Sequence, residues 1–127
     1  MTSCKSSCKI SVSIGELYDK YSILHIKREK INNEEKLLYI NKEIEYLKPL
    51  INDYNLDENI FKKLKKINEA LWDIEDNIRI KETKNEFDSE FILLARQVYK
   101  TNDQRYIVKN EIDNLFNSEI KEIKSYV

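Results

Sequence analysis

A chain of 127 residues has the length of one ordinary domain, which at this size buries roughly two-thirds of its unfolded surface without disulfide or metal support. With 22 basic against 23 acidic side chains the net charge is −1, which argues against nucleic-acid binding, where phosphate neutralisation needs a basic excess, and against a polybasic membrane anchor. A single glycine and a single proline leave too little turn chemistry for a β-sandwich or barrel, so an all-helical fold is expected.

Residues 1–8, Met-Thr-Ser-Cys-Lys-Ser-Ser-Cys, predict a frayed polar leader, and residues 9–127 a single helical-bundle domain. The leader has no apolar core of a secretory signal, and no stretch approaches the ~18 uninterrupted apolar residues of a membrane span, so a cytoplasmic location without membrane insertion is expected. Cys4 and Cys8 lack a nearby histidine and do not complete a four-coordinate zinc site. They are expected as free thiols of a reducing compartment, with a local disulfide or an intersubunit metal as the alternative.

Ile10, Val12 and Ile14 alternate and predict a short extended lead-in over 9–14. Ser13 and Glu16 have the spacing of a capping box, opening a first helix from Ile14 to Ile31 on the seam Ile14, Leu17, Tyr21, Leu24 and Ile31. Asn32 and Asn33 end it and cap a second helix, 34–47, with Leu37, Ile40, Ile44 and Leu47 inward. Pro49 removes a donor and ends or kinks that helix, leaving a loop over 50–56. Asp57 caps a third helix reaching Lys84, its seam running Ile60, Leu64, Ile67, Leu71, Ile74 and Ile78. A fourth starts at Phe87 and Asp88 and carries Phe91, Leu94, Ala95 and Val98. A second capping box, Thr101 with Gln104, opens a fifth that carries Val108, Ile112, Leu115, Phe116, Ile120 and Ile123. The expected fold is all-α, a compact antiparallel bundle of about five helices.

Lysines outnumber arginines 18 to 4, alongside 18 isoleucines and 13 asparagines. That skew is the mark of an AT-rich genome, so arginine becomes the informative cation, kept where a planar, permanently charged fork is needed. On the third helix Trp72, Glu75, Asp76, Arg79 and Glu82 share one stripe by three- and four-residue steps. Arg96 and Tyr99 follow on the fourth helix, then Asn102, Asp103 and Arg105. If these helices pack together, Arg79, Arg96 and Arg105 converge on a cleft that grips an anion, Trp72 and Tyr99 supply flat surfaces, and Glu75 or Asp76 is the candidate base. The competing reading is a charged network that fixes helix register, with Asn102 and Asp103 capping the fifth helix.

The acidic pairs Glu16–Asp19 and Asp73–Asp76 have a spacing compatible with metal ligation, but short acidic pairs are common with 23 carboxylates, so neither a metal nor another cofactor is expected. His25 is alone and mid-helix, which suits packing or surface exposure better than catalysis. One glycine cannot form a phosphate loop. The residues name no reaction, and enzyme status stays open.

Four blocks occur in a fixed order: Ser13-Ile14-Gly15-Glu16-Leu17 with Asp19-Lys20 and Ile23 through Lys27; Leu71-Trp72-Asp73-Ile74-Glu75-Asp76 with Ile78-Arg79; Phe87 and Phe91-Ile92 through Leu94-Ala95-Arg96, Val98-Tyr99, Asn102-Asp103 and Arg105; and Asn117-Ser118, Glu122 and Lys124-Ser125-Tyr126. Together they resemble an uncharacterised family of small proteins of bacteria and large DNA viruses, whose members accompany glycosyltransferase and polysaccharide-biosynthesis genes. The composition is compatible with a giant-virus member, for which the location would be the host cytoplasm. The resemblance marks Asp19, Lys20, Trp72, Glu75, Asp76, Arg79, Arg96, Tyr99, Asn102, Asp103 and Arg105 as motif positions. It implies an accessory or scaffold protein of surface-glycan assembly, partnered by a glycosyltransferase, another glycan-pathway protein or a second copy of the chain. The alternative is a small enzyme or sensor holding an anionic metabolite, such as a nucleotide-sugar, among those residues. A chorismate-mutase-like enzyme fits less well, since the first helix offers only Arg28.

Overall fold

Ser13, Asn33, Asp57 and Asp88 each accept a backbone N–H two or three residues ahead, satisfying donors that a helix start leaves orphaned. Each opens a helix: α1 (Ile14–Lys30), α2 (Glu34–Asn52), α3 (Glu58–Thr83) and α4 (Ser89–Leu115). The computed structural model describes residues 6–126, so Cys4 and most of the expected leader lie outside the described residues. Cys8 is exposed and unpaired. Residues 8–13 form no regular element, and Ile10 and Val12 face solvent.

Among the described residues four helices stand where about five were expected. The Thr101–Gln104 box opens nothing, because those residues lie inside α4, and Asn102 and Asp103 cap no helix. No glycine or proline interrupts 87–127, so continuing the helix satisfies the backbone better than restarting it. The stop comes earlier than Ile123. Asn117 adopts φ 52°, and Ser118 N–H returns to the Asp113 carbonyl at 2.8 Å, a Schellman closure. Asn85 at φ 55° ends α3 in the same way, with Glu86 N–H on the Lys81 carbonyl at 3.0 Å. Nor does α2 stop at Pro49. Its last turn survives because Ile51 packs on the core and its carbonyl accepts the Tyr18 hydroxyl at 3.3 Å.

Helix α1 is the hub, packed against α2, α3 and α4, while α3 and α4 make the most extensive pairing with each other. One apolar cluster joins Tyr18, Leu64, Val108 and Ile112, and a second joins Leu24, Ile40 and Ile44 between α1 and α2. The centre is not uniformly oily. Beside nine buried apolar side chains lie six buried polar or charged residues, Ser13, Asp19, Ser22, Asn68, Lys109 and Asp113, which is where α1 crosses α3 and α4.

Candidate functional site

On α1, Gly15, Asp19 and Ser22 step by four and three along one face; on α4, Asn102, Arg105, Lys109 and Asp113 do the same. The two stripes meet. Arg105 forks onto Asp19, Nε to Oδ1 at 2.9 Å and Nη2 to Oδ2 at 2.5 Å. Asn68 of α3 donates to Asp19 Oδ1 at 2.9 Å and to Ser22 Oγ at 2.8 Å, and the Ser22 hydroxyl donates to the Asp19 carbonyl at 2.7 Å. Asp19 is 1% exposed, and three donors already occupy its two oxygens.

Lys109 sits one turn further along α4. Its ammonium donates to Glu16 at 2.7 Å and to Glu122 at 3.0 Å and lies 3.9 Å from Asp19. Burial alone would pull this ammonium down, but the hydrogen bonds to Glu16 and Glu122 and the Asp19 charge outweigh it, and the net direction is upward. Arg105 is also raised, first by its hydrogen bond to Asp19 and against the opposing effect of burial. Glu16 therefore faces Lys109 rather than closing the capping box expected of it. Glu122 arrives from the segment after α4, which folds back over the α1–α4 crossing.

The α1 N-terminus is closed within the same cluster. Ile14 N–H donates to Ser118 Oγ at 3.2 Å, Gly15 N–H to Asp113 Oδ1 at 2.6 Å, Glu16 N–H to Ser13 Oγ at 3.0 Å and Leu17 N–H to the Ser13 carbonyl at 3.1 Å. The Leu17 bond is the first ordinary helix bond, whereas the N–H groups of Ile14, Gly15 and Glu16 are of the kind through which a helix N-terminus binds anions, and each of these three has an internal acceptor. The Asp113 carboxylate also complements the positive end of the α1 dipole.

The structure brings together part of the expected constellation. Asp19, Asn102 and Arg105 share the cluster, with Asn102 Oδ1 at 3.5 Å from Arg105 Nη1. Lys20 lies outside it, paired on the surface with Glu43 at 3.3 Å. Arg79 is 76% exposed and reaches only its own helix neighbour Glu75, at 3.2 Å. Asp76, Arg96 and Tyr99 are exposed, and Trp72 and Asp103 half-buried. Nine residues of α4 separate Arg96 from Arg105, about 14 Å of helix, and neither of the two cavities described here is lined by Arg79, Arg96 or Trp72.

The pocket at the open edge of the cluster, between Asn102, Arg105, Tyr106, Lys109, Glu122 and Lys124, has a volume of about 20 Å³. That is room for roughly one water. The acidic side chains Glu16, Asp19, Asp113 and Glu122 balance or exceed the cations beside them. An incoming anion would have to displace built-in carboxylates to reach the Lys109 ammonium or the Nε–Nη2 edge of Arg105. Among the described residues no three histidine, cysteine or carboxylate side chains are grouped as metal ligands.

Sequence reasoning missed Lys109, Asp113, Asn68, Ser22 and Ser118. The signal was present in the 105–109–113 spacing, a polar stripe beside Val108 and Ile112 that lay whole within the expected fifth helix and went unread. Ser118 and Glu122 come from beyond the helix end and carry no periodic signal.

A family model covers residues 8–127, nearly the whole chain. The chain belongs to DUF6165, a family of unknown function. Neither a curated protein nor a solved structure matches it significantly. In this DUF6165 chain the charged cluster and the cap of α1 draw on residues from Ser13 to Glu122, so the matched span contains the whole of it.

Proposed function

We propose that this protein is a non-enzymatic helical accessory module whose α3–α4 arm docks on a partner protein carrying an apolar face with a basic rim. The supporting observation is a gradient of burial. From Glu69 to Ile107 no described side chain is buried, although the stretch carries Ile80, Phe87, Ile92, Leu93, Tyr99 and Ile107, each more than half exposed. Helix α1 reaches along α3 as far as Asp73, which lies 4.0 Å from Lys30. The ten residues from there to Thr83 extend α3 by about 15 Å. A two-helix arm can bury one stripe of each helix, and the stripe here, Leu71, Ile74 and Ile78 with Phe91, Leu94 and Val98, is only half covered.

Charge points to the partner. Residues 69–104 hold nine acidic side chains against five basic ones, a net −4 on the arm of a chain whose total is −1. Two copies meeting arm to arm would bring like charges together, whereas a basic rim complements them. The resemblance to proteins accompanying glycosyltransferase genes makes a glycan-pathway enzyme the partner to try first. An anion-clamping enzyme or sensor has less support, because the arginines it needs do not share a cavity and the cations of the cluster are already paired.

The test is binding of purified glycan-pathway enzymes by the wild-type chain and by an Ile92→Glu, Leu93→Glu double variant, with sedimentation of the chain alone. Both side chains are exposed, so the variant should unfold at the same urea concentration. The expected result is saturable, salt-sensitive binding of one enzyme that weakens at least tenfold in the variant. Unchanged binding by the variant, or a monomer indifferent to every enzyme, overturns the proposal; self-association lost in the variant would instead make a second copy the occupant.

A further inference from the structure

A second concavity lies away from both the charged cluster and the arm, where the first half of α1, the end of α2 and the start of α3 meet. Its volume is about 350 Å³, within the range of small-ligand sites. Four rings line it, those of Tyr18, Tyr21, Tyr54 and Phe61, with Asn52 and Asn55 among its polar groups. Contacts behind the lining hold the rings. Phe61 packs edge-on against Tyr18 at 6.2 Å between centroids and tilted against Tyr21 at 6.0 Å. Tyr54 lies edge-on to Phe116 at 5.3 Å, and the Tyr18 hydroxyl is tied to the Ile51 carbonyl.

The charge of the lining narrows the ligand. Glu58 is its one carboxylate, and no lysine, arginine or histidine lines the cleft. An anion would meet a like charge and electron-rich rings. A purely apolar guest would leave Glu58 and the asparagines unused. A small organic cation uses both elements, since the aromatic quadrupole attracts an ammonium group and its methyl or methylene substituents gain apolar contact. Lys62 lies 3.5 Å from Glu58 in an exposed four-residue pair, a contact weak enough to exchange for a ligand. We propose that this cleft binds a free small molecule bearing an alkylated ammonium group, its charge directed to Glu58 and its alkyl groups to Tyr21, Tyr54 and Phe61.

None of these residues belongs to the arm, so the outcome is independent of partner docking. The probe is choline, titrated calorimetrically and by tyrosine ring resonances against the whole chain, beside its neutral isostere 3,3-dimethylbutan-1-ol. Choline should bind and perturb the Tyr21 and Tyr54 rings, with the isostere about tenfold weaker. Glu58→Gln, at an exposed position, should weaken choline about threefold without moving the melting curve, and Tyr54→Leu should weaken it further. No choline binding, equal binding of the isostere, or full affinity in Glu58→Gln each overturns the proposal. Tighter binding of a trimethyl-lysine peptide than of choline overturns the assignment to a free small molecule.

Discussion

Replacing Gly15 by alanine tests the α1–α4 crossing directly. In an ordinary helix position this change stabilises by about 0.5–1 kcal/mol, because alanine loses less backbone freedom on folding. Here a Cβ would press into the Lys109 carbonyl oxygen, 3.0 Å from its carbon and 2.9 Å from Asp113 Oδ1. A backbone carbonyl inside α4 cannot swing aside, so the helices must part. Overpacking of this kind costs about 1–3 kcal/mol, and parting also stretches the 2.6 Å bond from Gly15 N–H to Asp113, a charge-assisted bond whose loss costs about 1.5–3 kcal/mol. After the propensity gain is subtracted, the net loss should be about 2–4 kcal/mol. Urea unfolding followed by circular dichroism should show the midpoint falling by roughly 1–2 M, given a slope of about 2 kcal/mol per molar. Ala70→Gly, on an exposed face of α3, is the control and should lose only about 1 kcal/mol. A Gly15→Ala protein as stable as wild type, or more so, would refute the close-crossing account.

Asp19→Ala should cost about 3–5 kcal/mol by leaving buried cations uncompensated, while Arg79→Ala, on a solvated face, should stay within about 0.5 kcal/mol of wild type; chemical denaturation reads both. Stability should decline as pH falls through about 6.5. Burial first, and then the Arg28 charge, holds the His25 imidazole below its ordinary range, so the unfolded chain binds that proton more readily and acid favours unfolding. His25→Leu should remove this part of the slope and relieve the buried, unpartnered Nε2. On the alkaline side Tyr18, raised chiefly by burial, and Lys109 hold their protons more tightly when folded, so their contributions should be lost as pH climbs beyond about 10; denaturation across pH 5–11 covers both limbs. Amide exchange should be faster along Ile74–Thr83 and Ser89–Val98 than at Leu64, Val108 and Ile112, because local opening of the arm exposes little buried surface. Equal protection throughout would mean that the arm is covered in solution.

The helices with strong caps and regular seams were legible in the sequence, and their N-caps at Ser13, Asn33, Asp57 and Asp88 fall where local chemistry places them. The errors have a common cause. Pro49 and the Thr101–Gln104 pair are local signals, and each was overridden: the first by Ile51 packing on the core, the second by a helical backbone that runs on through 101–104 without a breaker. The stops were readable in principle, since Asn85 and Asn117 take the left-handed conformation that asparagine tolerates best after glycine, but among 13 asparagines no local feature singles those two out. For the site, sequence supplied Asp19 and Arg105 but joined them to Arg79 and Arg96. Uncommon residues close in sequence looked convergent until a continuous α4 carried them apart. The aromatic cleft left still less trace, because its rings come from α1, the α2–α3 link and α3, and nothing periodic unites them.

A polar centre in a small helical protein needs a physical reason, because apolar packing of the same volume is commonly as stable. The α1–α4 geometry supplies one. Sliding α1 by one turn along α4 would remove Asp19 from Arg105 and Glu16 from Lys109, leaving buried charges without partners. It would also set Tyr18 or Asp19, instead of the chain's one glycine, against the Lys109 carbonyl. An apolar seam stepping by three and four tolerates such a slip, since Leu, Ile and Val exchange places at small cost. The combination of one glycine and one ion cluster does not. The register so selected fixes where α4 leaves the body, and hence the direction in which the paired halves of α3 and α4 project. A rigid base of this kind fixes the direction of an arm with no buried residues of its own, which for the proposed docking would remove part of the orientational entropy otherwise lost.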